Sequence, residues 1–384
     1  MKKIVALLMV LAIVAGAFAA DISAALNTGF LPVSGDNDGV SINGLYDGQD
    51  ALGDGFGDAN LLYVSVDGEK AGAYFKIRGQ NPTFVKHYGV WFKPADMVKF
   101  TVGNHNTVYA FDTAHFGWWT PLGTGADADE GWSVELTPTD AIYFGLHFGA
   151  SSDLFAADDA AHIPLKACFK FNIDGFGSVG LEAAHGYAID DEGWNKKSTY
   201  NAFALGANIS ALEAASFDLV GTAYLFDKSK GALPTEDEDG NPILLPWEEN
   251  YGPMFKVEAA VNASVGADIY FLSRTLIRTT EGNNKLGEIL FARADYYFDN
   301  FSIYGFAGYA MNAAPAGLVG PGGATATDVA FGAVDSTQIW AEIGCPISID
   351  MVTVTPAFNF RSDKIGDAKA NNKWSLPIRV SIEY

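Results

Sequence analysis

The run from Trp374 to Tyr384 constrains the fold of this chain more than any other stretch. Trp374, Leu376, Ile378, Val380, Ile382 and Tyr384 fall on one side of an extended strand, because side chains alternate across a strand. Ser375, Pro377, Arg379, Ser381 and Glu383 fall on the other. One face is apolar and the other polar along the whole run. A water-soluble fold seldom leaves such an oily strand at a sheet edge, where it invites mispairing. A closed barrel has no edge, and in lipid it satisfies every backbone group between neighbouring strands.

The same two-residue period recurs through the chain. Val98, Phe100 and Val102 alternate with Lys99, Thr101 and Gly103; Ile142, Phe144, Leu146 and Phe148 alternate with Tyr143, Gly145 and His147. Leu165, Ala167, Phe169 and Phe171 alternate with Lys166, Cys168, Lys170 and Asn172. Phe255, Val257, Ala259 and Val261 alternate with Lys256, Glu258, Ala260 and Asn262. Two further apolar rows run from Ile339 to Ile349 and from Val352 to Phe360. The stretches 217–226 and 301–311 are ambiguous in face. Many alternating segments of this length are the signature of a transmembrane barrel, although each alone is a weak signal.

The connectors fall into two sets. Tight links rich in Gly, Pro and Asp, whose backbone preferences fix turn geometry, occur at Asp67–Glu69, Lys93–Asp96, Thr137–Asp140, Asp174–Gly177, Asp299–Asn300 and Asp350–Met351. Looser links lie around 210–216 and 263–267. Between them fall polar stretches near 32–58, 106–130, 150–162, 188–198, 227–253, 312–336 and 362–373. Short periplasmic turns at one rim and long extracellular loops at the other are the outer-membrane arrangement. About eight short turns, with both termini on their side, predict an all-β transmembrane antiparallel barrel of eighteen strands, with sixteen as the alternative count. No linker separates a second domain.

Met1-Lys2-Lys3, the apolar run Ile4–Ala15 and the small residues of Ala17-Phe18-Ala19 read as a secretory signal peptide over 1–19, leaving a barrel over 20–384. The alternative is a retained N-terminal anchor, for which the apolar run is short. Lys+Arg 24 against Asp+Glu 46 gives −22, and removing Lys2 and Lys3 takes this to −24. That balance excludes a nucleic-acid partner, whose phosphates require a basic footprint. Mean hydropathy is only slightly positive, as in a barrel where alternate residues alone meet lipid. Cys168 is read as inward and Cys345 as outward, so no disulfide is expected.

Taken together, these end signals and patterns resemble those of bacterial outer-membrane porin-like barrels, over essentially the whole chain after the leader. The C-terminal Ile378, Val380, Ile382 and Tyr384 resemble the signal read by the barrel-assembly machinery, which usually ends in Phe. The resemblance implies passive diffusion of small hydrophilic solutes or ions, an outer-membrane location reached by the general secretory route, the lipid bilayer as a partner, and often a homotrimer. It implies no cofactor and no enzymatic activity. In such barrels the third long loop commonly folds inward and narrows the pore. By that resemblance Asp112, His115, Asp127, Asp129 and Glu130 line a constriction, within a stretch that also holds Tyr109, Phe111, Phe116, Trp118 and Trp119. The other reading places Trp118 and Trp119 in the interfacial aromatic girdle.

Strand alternation puts Lys76, Arg78, Lys99, Lys166, Lys170, Lys256, Arg293, Arg361 and Arg379 on the inner wall, with Glu135, Glu182, Glu258, Asp295, Glu342 and Glu383. Charge inside a pore tunes which ions pass, so this wall predicts a mild anion preference behind acidic loops. The competing reading pairs these charges across strands with little net field. Catalytic patterns are lacking: there is no G-x-S-x-G elbow, no H-E-x-x-H and no phosphate loop. His87, His105, His115, His147, His162 and His185 are scattered. Asp36–Gly39 and Asp237–Asn241 resemble calcium loops but lack the first and last EF-hand ligands. Two other function classes stay open: a plugged barrel acting as a surface adhesin or structural protein through its acidic loops, and a soluble secreted β-protein such as a sandwich lectin.

Overall fold

The computed structural model describes residues 21–42, 52, 61–78, 84–104, 108–111, 130–149, 165–188, 198–212, 214–226, 254–280, 283–312 and 336–383. All of its regular structure is strand. The chain opens with β1 (Asp21–Asp36), β2 (Val40–Ile42), β3 (Leu61–Asp67), β4 (Ala71–Arg78) and β5 (Phe84–Ala95). It continues with β6 (Val98–Asn104), β7 (Glu130–Thr139), β8 (Ile142–Gly149), β9 (Leu165–Ile173) and β10 (Gly177–Ala188). Next come β11 (Ser198–Leu212), β12 (Ala215–Phe226), β13 (Met254–Ser264), β14 (Asp268–Thr280) and β15 (Asn283–Tyr297). The last five are β16 (Ser302–Met311), β17 (Ser336–Gly344), β18 (Ile347–Ile349), β19 (Val352–Ile365) and β20 (Asn371–Glu383).

Each strand pairs antiparallel with its neighbour, and β1 closes the ring by pairing β3 on one side and β20 on the other. β2 lies beside the far half of β1, with Val33 opposite Ile42, and so extends the place of β3. β18 continues β17 beside β19 after a break at Cys345-Pro346, where Pro346 has no amide to donate. The twenty segments therefore make one closed barrel of eighteen strands, the larger of the two expected counts.

All eight anticipated short links join consecutive strands on one rim. Gly175 (φ 69°) and Asp350 (φ 56°) take the left-handed conformation that such tight turns demand. Pro94 and Pro138 fall inside register shifts, between Phe92 and Ala95 and between Leu136 and Thr139, where no ladder amide is required.

The opposite rim departs from expectation at three places. The stretch 362–373 is mostly strand, because β19 reaches Ile365 and β20 starts at Asn371. Polar residues do not end a strand that has water on both faces, so polarity there marked the end of the apolar belt and not the end of the pairing. The β4–β5 and β14–β15 connections span only 79–83 and 281–282. At Asp36–Gly39 the chain makes a tight hairpin turn, in which Asp36 Oδ1 accepts the amides of Asp38 and Gly39 at 2.8 and 3.0 Å. Its carboxylate serves as a turn cap, and the described residues hold no metal-binding cluster. Asp237–Asn241 lie outside the described residues.

The outer face is a belt of exposed Leu, Ile, Val and Phe, including Leu205 at 67% exposure, Val257 and Ile343. The inner face carries buried polar and charged side chains at the intervening positions, among them Lys166, Glu182, Lys256, Asn359 and Arg379. Cys168 is buried inside, Cys345 is half-buried on the outer side, and both thiols are free. Aromatic rings lie over cross-strand glycines, Trp91 on Gly72, Trp340 on Gly308 and Tyr304 on Gly344 on the inner face and Trp374 on Gly35 on the outer. A Cβ at Gly308 would stand 2.0 Å from the Trp340 ring. Some of the high glycine content thus provides flat seats for rings.

Candidate functional site in the barrel lumen

Between β6 and β7, the segment Val108–Phe111 lies inside the barrel, against the wall of β8–β11. Four consecutive residues each meet it differently. Val108 fills the space beside Gly145, where a Cβ would come 2.7 Å from Val108 Cβ. The Tyr109 ring receives the Lys166 ammonium at 4.3 Å from its centroid. The Ala110 amide donates to Glu182 Oε1 at 2.7 Å. Phe111 covers Gly180 and Gly206, whose missing Cβ atoms would stand 2.9 and 3.0 Å from its Cε1. Lys166 Nζ also lies 3.5 Å from Glu182 Oε2, and both side chains are 0% exposed. Glu182 therefore uses one carboxylate oxygen for the segment and the other for the lysine, which compensates a carboxylate that is costly to bury alone.

The remaining wall charges form networks along single strands and between strands. Glu258 binds Arg274 Nε at 2.6 Å and Lys256 Nζ at 3.2 Å. Glu342 takes a two-pronged contact from Arg379 at 2.6 Å on each oxygen, the Tyr304 hydroxyl at 2.5 Å and the Asn359 amide at 3.1 Å. Ser375 donates in turn to Asn359. Arg293 joins Asp295 at 2.6 Å and stacks 4.6 Å from the Tyr304 centroid. Nearer the mouths lie Lys99–Glu135 at 3.0 Å and Arg361–Asp363 at 2.8 Å. Charge-assisted pairs of this length fix side-chain positions and leave little unbalanced field between the partners.

The structure describes the side chains of most residues expected on the inner wall. Lys76, Lys166, Lys256, Arg379, Glu258 and Glu342 are buried there. Lys99, Lys170, Arg293, Arg361 and Glu135 are half-buried. Arg78 ends β4, and its side chain is outside the description. Of the expected constriction, Asp112, His115, Asp127 and Asp129 lie outside the described residues. Glu130 begins β7 opposite Asn104, its side chain likewise outside. In the C-terminal motif, Ile378, Val380 and Ile382 pair with Phe30, Thr28 and Leu26 of β1. Tyr384 is outside the described residues.

Two features escaped the sequence reading. Arg274, Asp218 and Asp363 are further inner charges, and Asp218 accepts from Asn208 at 2.7 Å. The inner wall of β14–β17 is apolar and aromatic, with Tyr270, Leu272, Leu276, Phe291, Phe306 and Trp340 buried. Phe291 is the hub, with ring centroids 5.9 Å from Tyr270, 5.6 Å from Phe306 and 6.5 Å from Trp340. Here the inner face departs from the apolar-out, polar-in alternation. This departure also explains the ambiguous stretches, since Val220, Tyr304, Phe306 and Ala310 turn inward while Leu219, Ile303 and Tyr309 turn out.

At the short-turn mouth, below the infolded segment, is a chamber of about 920 Å³. Tyr109, Glu135, Tyr143 and Lys170 line its inner part, and Asp96 and Asp140 its rim. The Tyr143 hydroxyl donates to Glu135 Oε2 at 3.0 Å.

No protein-family model matches the chain, and no curated protein sequence does. Solved structures match it in fold. The outer membrane protein OpdK of Pseudomonas aeruginosa aligns at a TM-score of 0.51 and 9% identity, over 95% of this chain and 99% of its own. In-vitro folded OmpT of Vibrio cholerae gives 0.54 and 11%, over 95% and 97%. An anion-selective porin from Comamonas acidovorans gives 0.52 and 11%, over 94% and 99%. The chain has the closed barrel fold of outer-membrane porins, shared at identities that carry fold alone.

Proposed function

We propose that the protein is an outer-membrane channel through which small hydrophilic solutes or ions diffuse passively, exported by the secretory route with residues 1–19 as leader. The observation that carries this reading is one closed eighteen-stranded barrel with an exposed apolar belt outside and ionised side chains inside. A barrel of this size leaves room for an aqueous path, and the described segment Val108–Phe111 narrows it. Pairing of the C-terminal strand with β1 supports a role for Ile378, Val380, Ile382 and Tyr384 in recognition by the assembly machinery. The reading assigns no catalytic step and no cofactor, and association of barrels into a homotrimer belongs to it. Liposome swelling with sugars of graded size tests it. Uptake that falls with sugar size supports the channel, and no uptake of any sugar or ion refutes it.

One observation favours a second reading. Lys166, Glu182, Lys256 and Glu258, at mid-barrel, are 0% exposed. A lumen so closed at rest fits a barrel that acts through its exterior loops as an adhesin or structural protein. Planar-bilayer recordings separate the two, since the second reading predicts no current steps.

A further inference from the structure

Seven inner-wall cations among the described residues have a carboxylate within 3.5 Å. Lys170 differs. It lies half-buried on the inner face of β9, faces the chamber at the short-turn mouth, and has no ion-pair or hydrogen-bond partner among the described residues. The other polar groups around it are engaged or remote from the interior. Glu135 gives one oxygen to Lys99 and the other to Tyr143. The Asn172 amide donates to the Asp140 carbonyl at 2.7 Å. Asp96 and Asp140 are exposed on the turns at the rim. The ammonium of Lys170 brings three donors and a full charge into a chamber of about 920 Å³.

We propose that this chamber binds a small oxyanion, with Lys170 holding it and setting the anion preference of the channel. The proposal rests on the channel reading above. Carboxylate and phosphate share the required chemistry, namely compact negative charge on oxygen acceptors. Low-dielectric walls focus the field of an unbalanced charge into a cleft. Wall pairs such as Arg379–Glu342 largely cancel within a few ångströms, whereas Lys170 has no such partner among the described residues. The rim carboxylates act in the opposite sense but stand in bulk solvent, where screening operates over about 8 Å. The chamber volume leaves space for an oxyanion with part of its hydration or with a small organic body.

The first test is reversal potential in a salt gradient across planar bilayers, with acetate and inorganic phosphate in separate runs. Lys170→Gln should lower the anion-over-cation permeability ratio by up to about 30-fold, because one unit charge at about 4 Å in water shifts anion and cation about fivefold each in opposite directions. Lys170→Arg should keep the ratio, and Asp96→Asn with Asp140→Asn should raise it. An unchanged ratio in Lys170→Gln, in a variant that still conducts, overturns the site while leaving the channel reading intact. The second test needs no current. Brief amine acylation of the folded wild-type protein, read by mass spectrometry, should mark Lys170 ahead of the fully buried Lys166 and Lys256. Acetate and phosphate should each slow that marking relative to chloride at equal ionic strength. Protection by one of them assigns the site to that source, and protection by neither overturns it. Protection without conductance refutes the channel reading alone.

Discussion

Glu182 holds the infolded segment, and its removal has a calculable effect. In Glu182→Ala the Ala110 amide loses its 2.7 Å acceptor, and Lys166 loses the carboxylate 3.5 Å away while remaining fully buried. A hydrogen bond to a charged group is worth about 1.5–3 kcal/mol. Segment docking should therefore weaken about 10- to 150-fold in its equilibrium constant. The buried ammonium of Lys166, deprived of its carboxylate, adds a separate penalty to the barrel of about 3–5 kcal/mol, typical of a broken buried pair. Single-channel recording measures the first effect as larger mean conductance with increased open-channel noise. Urea unfolding in vesicles, followed by heat-modifiable gel migration, measures the second. The variant Lys166→Met with Glu182→Leu separates them: it should recover much of the stability, because no charge is left buried, yet keep the noisy current, because Ala110 still lacks its acceptor. A folded Glu182→Ala barrel with wild-type conductance and noise would refute this account of how the segment is held.

Other consequences follow from the wall. Gly308→Val should cost about 1–3 kcal/mol by overpacking, because its Cβ would meet the buried Trp340 ring at 2.0 Å; Gly305→Ala, whose nearest neighbour is the Glu342 carbonyl oxygen at 3.8 Å, should be nearly neutral. Urea midpoints in vesicles compare the two. Arg379→Ala strips Glu342 of its paired guanidinium at 5% exposure and should cost about 3–5 kcal/mol. Arg361→Ala, at 31% exposure, should cost under about 1 kcal/mol in the same assay.

Strands whose two faces differ chemically were readable, and those whose faces match were not. β9 is plain because Lys166, Cys168 and Lys170 oppose Leu165, Phe169 and Phe171. β14 is opaque because Tyr270, Leu272 and Leu276 point inward while Ile269, Phe271 and Ile277 point outward, all apolar. Arg274 and its pairing with Glu258 were missed for that reason. Turn residues such as Pro138 and Asp350 act locally, so the eight short links could be read directly, while the strand count stayed between eighteen and sixteen. The glycine seats could not: Gly35 meets Trp374, and Phe111 meets Gly180 and Gly206, only through register between residues distant in sequence. The aromatic stretch from Tyr109 was visible as a candidate, but the wall that receives it was not. Likewise the inner charges were legible, whereas the cancellation of Lys99, Lys166, Arg274 and Arg379 depends on partners on other strands.

The most direct test of the account is a nitroxide scan of β11, one cysteine at a time from Ala202 to Ala207, in a background with Cys168→Ala and Cys345→Ser, in lipid vesicles. Collision with dissolved oxygen, which concentrates in hydrocarbon, should alternate with a period of two, high at Phe203, Leu205 and Ala207 and low at Ala202, Ala204 and Gly206. A flat profile, or one with the opposite parity, would contradict the barrel orientation from which the channel, its infolded segment and its anion site are all derived.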